Sequence, residues 1–123
     1  MQLVDTHVHI NFESFRSDLD EVAFAWRQAG VVHLVHSCVE PNEFKDLQAI
    51  ADRYPEVSLS IGLHPLDMDK WDGDQTAAQI EALASSDKRV VAIGETGLDL
   101  YKAENQATQE DAFWAQLQIA HRL

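Results

Sequence analysis

Apolar and polar residues alternate in blocks along this chain, and the blocks predict strands and helices in strict alternation. Extended apolar segments predict four strands, at 2–10, 31–38, 57–65 and 89–95. Apolar residues at helical spacing follow each segment, within 16–30, after Pro41, at about 75–86 and from near Thr108. Four βα units in a row predict a parallel sheet with helices on its outer side.

Each predicted helix carries one apolar face for packing on the sheet. These faces are Leu19, Val22, Ala23 and Trp26; Leu47, Ile50, Ala51 and Tyr54; Ile80, Leu83 and Ala84; and Phe113, Leu117 and Ala120. Gly30 ends the first helix, and the sequence TQED at 108–111, which resembles a capping box, predicts the start of the fourth.

Two architectures fit this order: an open doubly wound sheet and part of a (β/α)₈ TIM-type barrel. Two strands alternate apolar with polar residues, as Val57, Leu59, Ile61 and Leu63 against Ser58, Ser60, Gly62 and His64, and as Val4, Val8 and Ile10 against Asp5, His7 and His9. A sheet covered on both faces favours continuously apolar strands, whereas a barrel lumen accommodates polar ones. A full barrel needs about 250 residues, so we expect residues 1–123 to form half of one α/β barrel domain.

Composition limits the classes of function. The chain is 46% hydrophobic, and its single cysteine, Cys38, excludes an internal disulfide framework. The amino terminus lacks the features of a signal peptide, and no apolar run is long enough to cross a membrane. We therefore expect a cytoplasmic protein with no membrane partner. A net charge of −12 argues against binding nucleic acid through a basic face, but not against a local site where bound cations supply positive charge.

Two histidines end the first predicted strand. His7 and His9 are two residues apart and project from the same face, at the strand end where barrel enzymes build their sites. They are either metal ligands or ordinary strand histidines held by solvent or hydrogen bonds. Glu95 favours the metal because it follows the apolar strand VVAI between Gly94 and Gly97, and an inward carboxylate needs a partner.

Three motifs in order resemble the TatD-type metal-dependent deoxyribonucleases, a branch of the amidohydrolase-like (β/α)₈ hydrolases. They are DTHVHI at 5–10, GLHP at 62–65 and AIGETGLDLY at 92–101. The segment 109–123 resembles the helix that leads into the fifth strand of family members. The resemblance covers the whole chain but about the first half of a typical member. Leu100 and Tyr101 depart from the aromatic pair that members often carry there.

The resemblance implies hydrolysis of DNA phosphodiester bonds at a site with two divalent ions, Mg, Mn or Zn. It implies that His7 and His9 bind one ion and that Glu95 bridges both as a catalytic ligand. The family's other ligands, two histidines and an aspartate, are expected beyond Leu123. DNA is then the expected substrate, the other half-barrel the expected partner, and the 123-residue chain alone is expected to be inactive.

Other polar residues allow two interpretations each. His64 either contacts substrate phosphate near the metals or is a loop histidine held by Pro65. Asp99 positions Glu95 or, as we favour, only orders its loop, and Asp5 either supports His7 or is bonded within the lumen. We expect structural or exposed roles for His33, His36 and His121, and packing roles for Trp26, Trp71 and Trp114.

Two further functions remain open from the sequence. Related barrels use the same histidine pair to hydrolyse C–N or ester bonds, as in the deacylation of mis-charged tRNA. A half-barrel could also act without catalysis, as an assembly module that self-associates through the exposed edges of its first and fourth strands.

Overall fold

A computed structural model of the chain describes residues 1–101 and 103–123. Within them, the strands are β1 (Leu3–Val8), β2 (Val31–His36), β3 (Val57–Ile61) and β4 (Val90–Ile93). The α-helices are α1 (Leu19–Gln28), α2 (Phe44–Arg53), α3 (Gly73–Ser86) and α4 (Gln106–Arg122). Short 3₁₀ turns lie at Glu13–Phe15, Pro41–Glu43 and Met68–Lys70.

The four strands form one parallel sheet in the order β1-β2-β3-β4. The predicted alternation of strands and helices is confirmed, and β1 and β4 are the two edges of the sheet. Val8 pairs with His36, which pairs in turn with Leu59, and Ile61 pairs with Ile93. This register brings the carboxyl ends of all four strands to one side of the molecule.

The first three helices pack on the sheet by the faces that their spacing predicts. Ala23 and Trp26 are buried on α1, Leu47 and Ala51 on α2, and Ile80 and Ala84 on α3. They enclose a core that includes Leu59 and Ile61, both fully buried in β3. Burial of apolar surface is the main stabilising contribution here.

The fourth helix differs from the prediction in both its start and its buried face. It begins at Gln106 after Asn105, so Thr108 lies inside its first turn and caps nothing. Its buried side chains are Gln109, Ala112, Gln116 and Ile119, whereas Leu117 and Ala120 are exposed. Gln116 binds both backbone groups of Leu63, accepting its N–H at 2.9 Å and donating to its carbonyl at 3.2 Å. An amide side chain donates and accepts at once, so it satisfies a buried peptide group that leucine would leave unpaired.

All four strands are also shorter than predicted. β1 ends at Val8 and β3 at Ile61, so His9 and His64 both lie in the loops just beyond the strands. Val4, which the alternation places on the apolar face of β1, is 57% exposed on this edge strand. Among the described residues, no helix combines the length and apolar character that spanning a bilayer requires.

Candidate metal centre

The end of β1 brings two imidazoles together. The Nε2 atoms of His7 and His9 are 3.0 Å apart. The backbone between them is tied to β2, because the Ser37 N–H donates to the Val8 carbonyl at 2.9 Å. The His7 side chain is 55% exposed and that of His9 23%, so the pair is open to solvent on one side.

The carboxylate of Glu95 lies against this pair, two residues beyond the end of β4. Its Oε2 atom is 3.3 Å from His9 Nε2 and 3.6 Å from His7 Nε2. Three potential ligand atoms from opposite edges of the sheet therefore converge on one point. Ligands about 2.0–2.2 Å from a single divalent ion lie roughly 2.9–3.5 Å from one another. The observed spacings are close to that range, so the donor set fits one cation.

His64 lies on the other side of the same carboxylate. Its Nε2 atom is 3.5 Å from Glu95 Oε1, and its Nδ1 accepts the Leu66 N–H at 3.1 Å. Because Nδ1 accepts this hydrogen bond, the ring N–H lies on Nε2, which faces Glu95. The backbone N–H of His64 donates to the Val39 carbonyl at 2.8 Å, which holds the loop in place. The structure thus brings His64 into the site with the three predicted ligands.

In the described part of the chain, neither lysine nor arginine forms an ion pair with Glu95. Within the described ranges, its ion-pair neighbours at 4.0 Å or less are three histidines, with no lysine or arginine among them. A carboxylate with no lysine or arginine beside it keeps its negative charge available. The arrangement is suited to a cation from solution.

His36 packs beside His9 in the interior, whereas the sequence predicted only a structural or exposed role for it. It is fully buried, and burial lowers the pKa of its imidazole to about 4, so the ring is neutral. Its Nδ1 donates to the Ser37 carbonyl at 3.1 Å, and its Nε2 accepts the Asn11 N–H at 3.2 Å. The ring stands edge-on to His9 at 6.2 Å between centroids. The strand register pairs Val8 with His36, and no local sequence pattern predicts that pairing.

The side chains of Asp5 and Asp99 both accept hydrogen bonds from nearby backbone N–H groups. Asp5 accepts the backbone N–H of His7 at 3.2 Å rather than touching its ring. The Asp99 carboxylate accepts the Tyr101 N–H at 3.1 Å, and its backbone pairs with the Gln109 amide. Asp99 therefore orders the loop after Glu95, in agreement with the structural interpretation.

The remaining predicted histidines and tryptophans divide into packed and exposed side chains. His33 Nε2 lies 2.9 Å from Ser58 Oγ, and His121 is exposed, both as expected. Trp26 is buried and Trp71 donates to Asp111, but Trp114 is 63% exposed, so the packing prediction is wrong for it. Trp114 lies on the outward face of α4, which nothing in the described chain covers.

Two further residues, Phe12 and Cys38, lie beside the site, and no sequence pattern predicted that position. The Phe12 ring stacks on the His9 imidazole, with centroids 5.0 Å apart and planes inclined by 11°. Cys38 is fully buried, and burial raises the pKa of its thiol to about 12. The thiol is therefore protonated at neutral pH, and it donates to the Glu40 carbonyl at 2.9 Å.

Comparison with known proteins places the chain in a family. The model of the TatD related DNase family matches residues 4–123. The chain belongs to this family. It is 36% identical to the 3'-5' ssDNA/RNA exonuclease TatD of Cronobacter sakazakii over 122 residues, which are 98% of this chain and 46% of that protein. It is 31% identical to YjjV of Escherichia coli, described as an uncharacterized metal-dependent hydrolase, over 98% of this chain and 47% of YjjV.

Solved structures of family members have the same fold. The structure of the TatD homologue YjjV superposes with a TM-score of 0.88 at 32% identity, over 98% of this chain and 47% of YjjV. A TatD family hydrolase of Entamoeba histolytica gives 0.86 at 20% identity, over 99% of this chain and 46% of that protein, which supports the fold alone. The predicted half of a TIM-type α/β barrel is confirmed. The chain spans about half the length of the relatives it matches.

Proposed function

We propose that residues 1–123 form the amino-terminal half of a metal-dependent hydrolase domain that cleaves DNA phosphodiester bonds. The observation that carries the proposal is the convergence of His7, His9 and Glu95, whose ligand atoms lie within 4.8 Å of one another. They lie at the carboxyl ends of the strands, where barrel enzymes place their catalytic groups. The family's TatD relatives, described as ssDNA/RNA exonucleases, support a nucleic-acid substrate.

In this proposal His7, His9 and Glu95 would hold the metal, and Glu95 would be the catalytic carboxylate that two divalent ions share. Its Oε2 faces the histidine pair while its Oε1 faces His64, so the two oxygens are directed at different neighbours. Of Mg, Mn and Zn, we favour Zn or Mn for the histidine side, because Mg prefers oxygen ligands.

Bound cations would polarise the phosphodiester and lower the pKa of an attacking water. The chain's own residues supply the positioning. Glu95 and the two imidazoles orient toward one point, and the Nε2–H of His64 is directed so that it can donate to a phosphate oxygen beside Glu95. His64 is thus the proposed substrate-binding residue.

The net charge of −12 gives the cations a second role. An acidic protein repels a phosphate backbone, and without cations the Glu95 carboxylate adds to this repulsion. Divalent ions held by His7, His9 and Glu95 would supply positive charge at the site and so would offset this repulsion. DNA is therefore proposed as a transient substrate that needs the metal to approach.

The expected partner of this chain is the other half of the barrel. A groove of about 480 Å³ runs between the β4 edge and the end of α4, and its lining mixes apolar residues such as Val90, Val91 and Leu123 with the polar residues Asp87 and Lys88. A fifth strand laid there would pair with the β4 edge and cover Val91, which is 60% exposed. Without the other half-barrel, we expect self-association through the exposed edges of β1 and β4. The cytoplasm stays the predicted location.

The test is a nuclease and metal-content assay on the protein extended to the length of its relatives, with the 123-residue chain in parallel. We expect cleavage of labelled single-stranded DNA that chelation abolishes and that Glu95→Gln abolishes as well. The isolated chain should bind metal but not cleave DNA. Absence of bound metal and of cleavage in the extended protein would overturn the proposal. Hydrolysis of an aminoacyl ester without DNA cleavage would favour the ester-bond alternative.

A further inference from the structure

The peptide group between Gly94 and Glu95 is held by hydrogen bonds at both of its polar atoms. The Glu95 N–H donates to the Cys38 carbonyl at 2.7 Å. The Gly94 carbonyl accepts the Ser60 hydroxyl, also at 2.7 Å. This is the peptide that carries the Glu95 side chain into the site. Its orientation is therefore set by groups at the ends of β2 and β3.

Ser60 and Cys38 are themselves joined, which closes the set of bonds. The Cys38 N–H donates to Ser60 Oγ at 3.2 Å, while the hydroxyl proton goes to Gly94. Ser60 is 4% exposed and Cys38 is fully buried, so water does not compete for these bonds. Removing the hydroxyl would leave the Cys38 N–H and the Gly94 carbonyl without this partner, and such losses are costly in a buried place.

The close approach of β3 to this peptide also depends on Gly62. A Cβ atom at Gly62 would lie 2.7 Å from the carbonyl carbon of Gly94 and 2.8 Å from Gln116 Oε1. Only a residue without a side chain lets the peptide pack here. Glu95 thus projects from a peptide that is packed on one side and hydrogen-bonded at both polar atoms.

We propose that Ser60 is a positioning residue that fixes the Glu95 carboxylate for metal binding, acting through the Gly94–Glu95 peptide together with Cys38. The inference rests on the proposed function, because it assigns Glu95 as a ligand. Ser60 touches neither the cation nor the substrate. Outer groups that orient a ligand in this way change metal affinity by about 10–100-fold when they are removed.

The same strand offers a matched control in Ser58. Ser58 lies on the same face of β3 as Ser60 and is similarly buried, at 9% exposed, but its hydroxyl pairs with His33 at 2.9 Å and not with the Glu95 peptide. Ser58→Ala and Ser60→Ala therefore remove the same atom from neighbouring sites of one strand. A purely structural role for Ser60 predicts similar effects of the two substitutions.

The first measurement is amide hydrogen exchange by NMR on the metal-free 123-residue chain. We expect Ser60→Ala to speed exchange at the Glu95 amide by about tenfold relative to the exchange of the β3 amides. Ser58→Ala should leave this ratio unchanged, and Ser60→Thr, which keeps a hydroxyl, should restore it. Equal protection of the Glu95 amide in the Ser60→Ala and Ser58→Ala chains would overturn the inference whether or not metal binds.

The second measurement is titration of the same four chains with Co²⁺, followed by its visible absorption. We expect Ser60→Ala to weaken Co²⁺ binding by about tenfold, with Ser58→Ala and Ser60→Thr near the unsubstituted chain. Equal affinities in all four chains would overturn the inference while leaving the proposed metal site intact. Failure of the unsubstituted chain to bind Co²⁺ would instead overturn the metal site, and with it the assignment of Ser60 to metal positioning.

Discussion

Glu56 and Glu95 lie at opposite ends of the same sheet and have opposite surroundings. Glu56 precedes β3 at the amino end, where its Oε1 accepts Arg27 Nε–H at 2.6 Å and Trp26 Nε1–H at 3.0 Å. The Arg27 hydrogen bond lowers the pKa of the Glu56 carboxyl to about 2. Glu95 follows β4 at the carboxyl end, and its neighbours at 3.3–3.6 Å are imidazoles.

The difference separates a stabilising carboxylate from one that is available for chemistry. At the amino end the chain supplies its own cations, and the cluster continues through Tyr54, which donates to Asp20 at 2.6 Å, and through the Asp20–Arg53 ion pair. At the carboxyl end the backbone of Glu95 is held by Cys38 and Ser60, and no lysine or arginine among the described residues pairs with its carboxylate. Rigid placement of an unneutralised carboxylate is what a metal site requires.

The largest effect that tests this contrast is expected from Glu95→Gln. The change keeps the size of the side chain but removes its charge, so divalent metal binding should weaken by at least about 100-fold. Unfolding by urea should be almost unaffected, since no lysine or arginine pairs with Glu95 in the described chain. Calorimetric titration with Zn²⁺ measures the first effect. Retained affinity would remove Glu95 from the ligand set.

The same substitution at the other end of the sheet, Glu56→Gln, should change stability but not metal binding. Losing a charged hydrogen bond to Arg27, in a carboxylate whose side chain is 16% exposed, should lower the free energy of unfolding by about 1–2 kcal/mol. Metal affinity should stay unchanged, because Glu56 lies at the other end of the sheet. Urea unfolding with and without Zn²⁺ checks both parts. A loss of metal affinity would contradict the separation of the two ends.

Acid should weaken the amino-end cluster by the same mechanism. The folded pKa of Glu56 is about 2, below its ordinary value of 4.5, so its contribution is present above pH 4.5 and is lost as pH falls toward 2. Asp87 acts in the same direction, because its hydrogen bonds with Arg89 lower its pKa. The free energy of unfolding, measured between pH 5 and 2.5 in about half-unit steps, should fall less steeply for Glu56→Gln than for the unsubstituted chain. Identical slopes would show that the ion pair is not formed.

The smallest effect is expected at His36, which holds the loop after His9. In His36→Asn, the side-chain amide can lie near the Nδ1 position and keep the bond to Ser37, but it cannot reach Asn11. In His36→Gln, the side-chain oxygen can lie near the Nε2 position and accept the Asn11 N–H. Since one such bond contributes about 1 kcal/mol, His36→Asn should weaken Zn²⁺ binding roughly fivefold. His36→Gln should weaken it less. The reverse order of the two affinities would show that the Asn11 bond does not support His9.

Much of the architecture follows from local pattern. The strand and helix alternation, the parallel sheet and the buried faces of α1, α2 and α3 agree with apolar spacing, because that spacing reports burial directly. The histidine pair was also predictable, since residues two apart along an extended segment share a face, although β1 itself ends at Val8. Glu95 needed one further step, that the carboxyl ends of parallel strands meet on one side of a sheet.

The fourth helix shows where pattern fails. Its apolar residues Leu117 and Trp114 are exposed, while Gln109 and Gln116 are fully buried. Hydropathy ranks glutamine as a surface residue, and only the position of the Leu63 peptide shows that Gln116 has two backbone partners inside the fold.

The sequence by itself determined the repeating βα units, the acidic charge and the residue types that can bind a cation. The tertiary structure decided which of those residues meet, and how each is held. Glu95 is fixed by Ser60 and Cys38, and His9 is backed by His36, through contacts between segments 22 to 57 positions apart. Periodicity is a property of neighbouring residues, whereas a hydrogen bond across a sheet depends on the register of strands that the whole core sets.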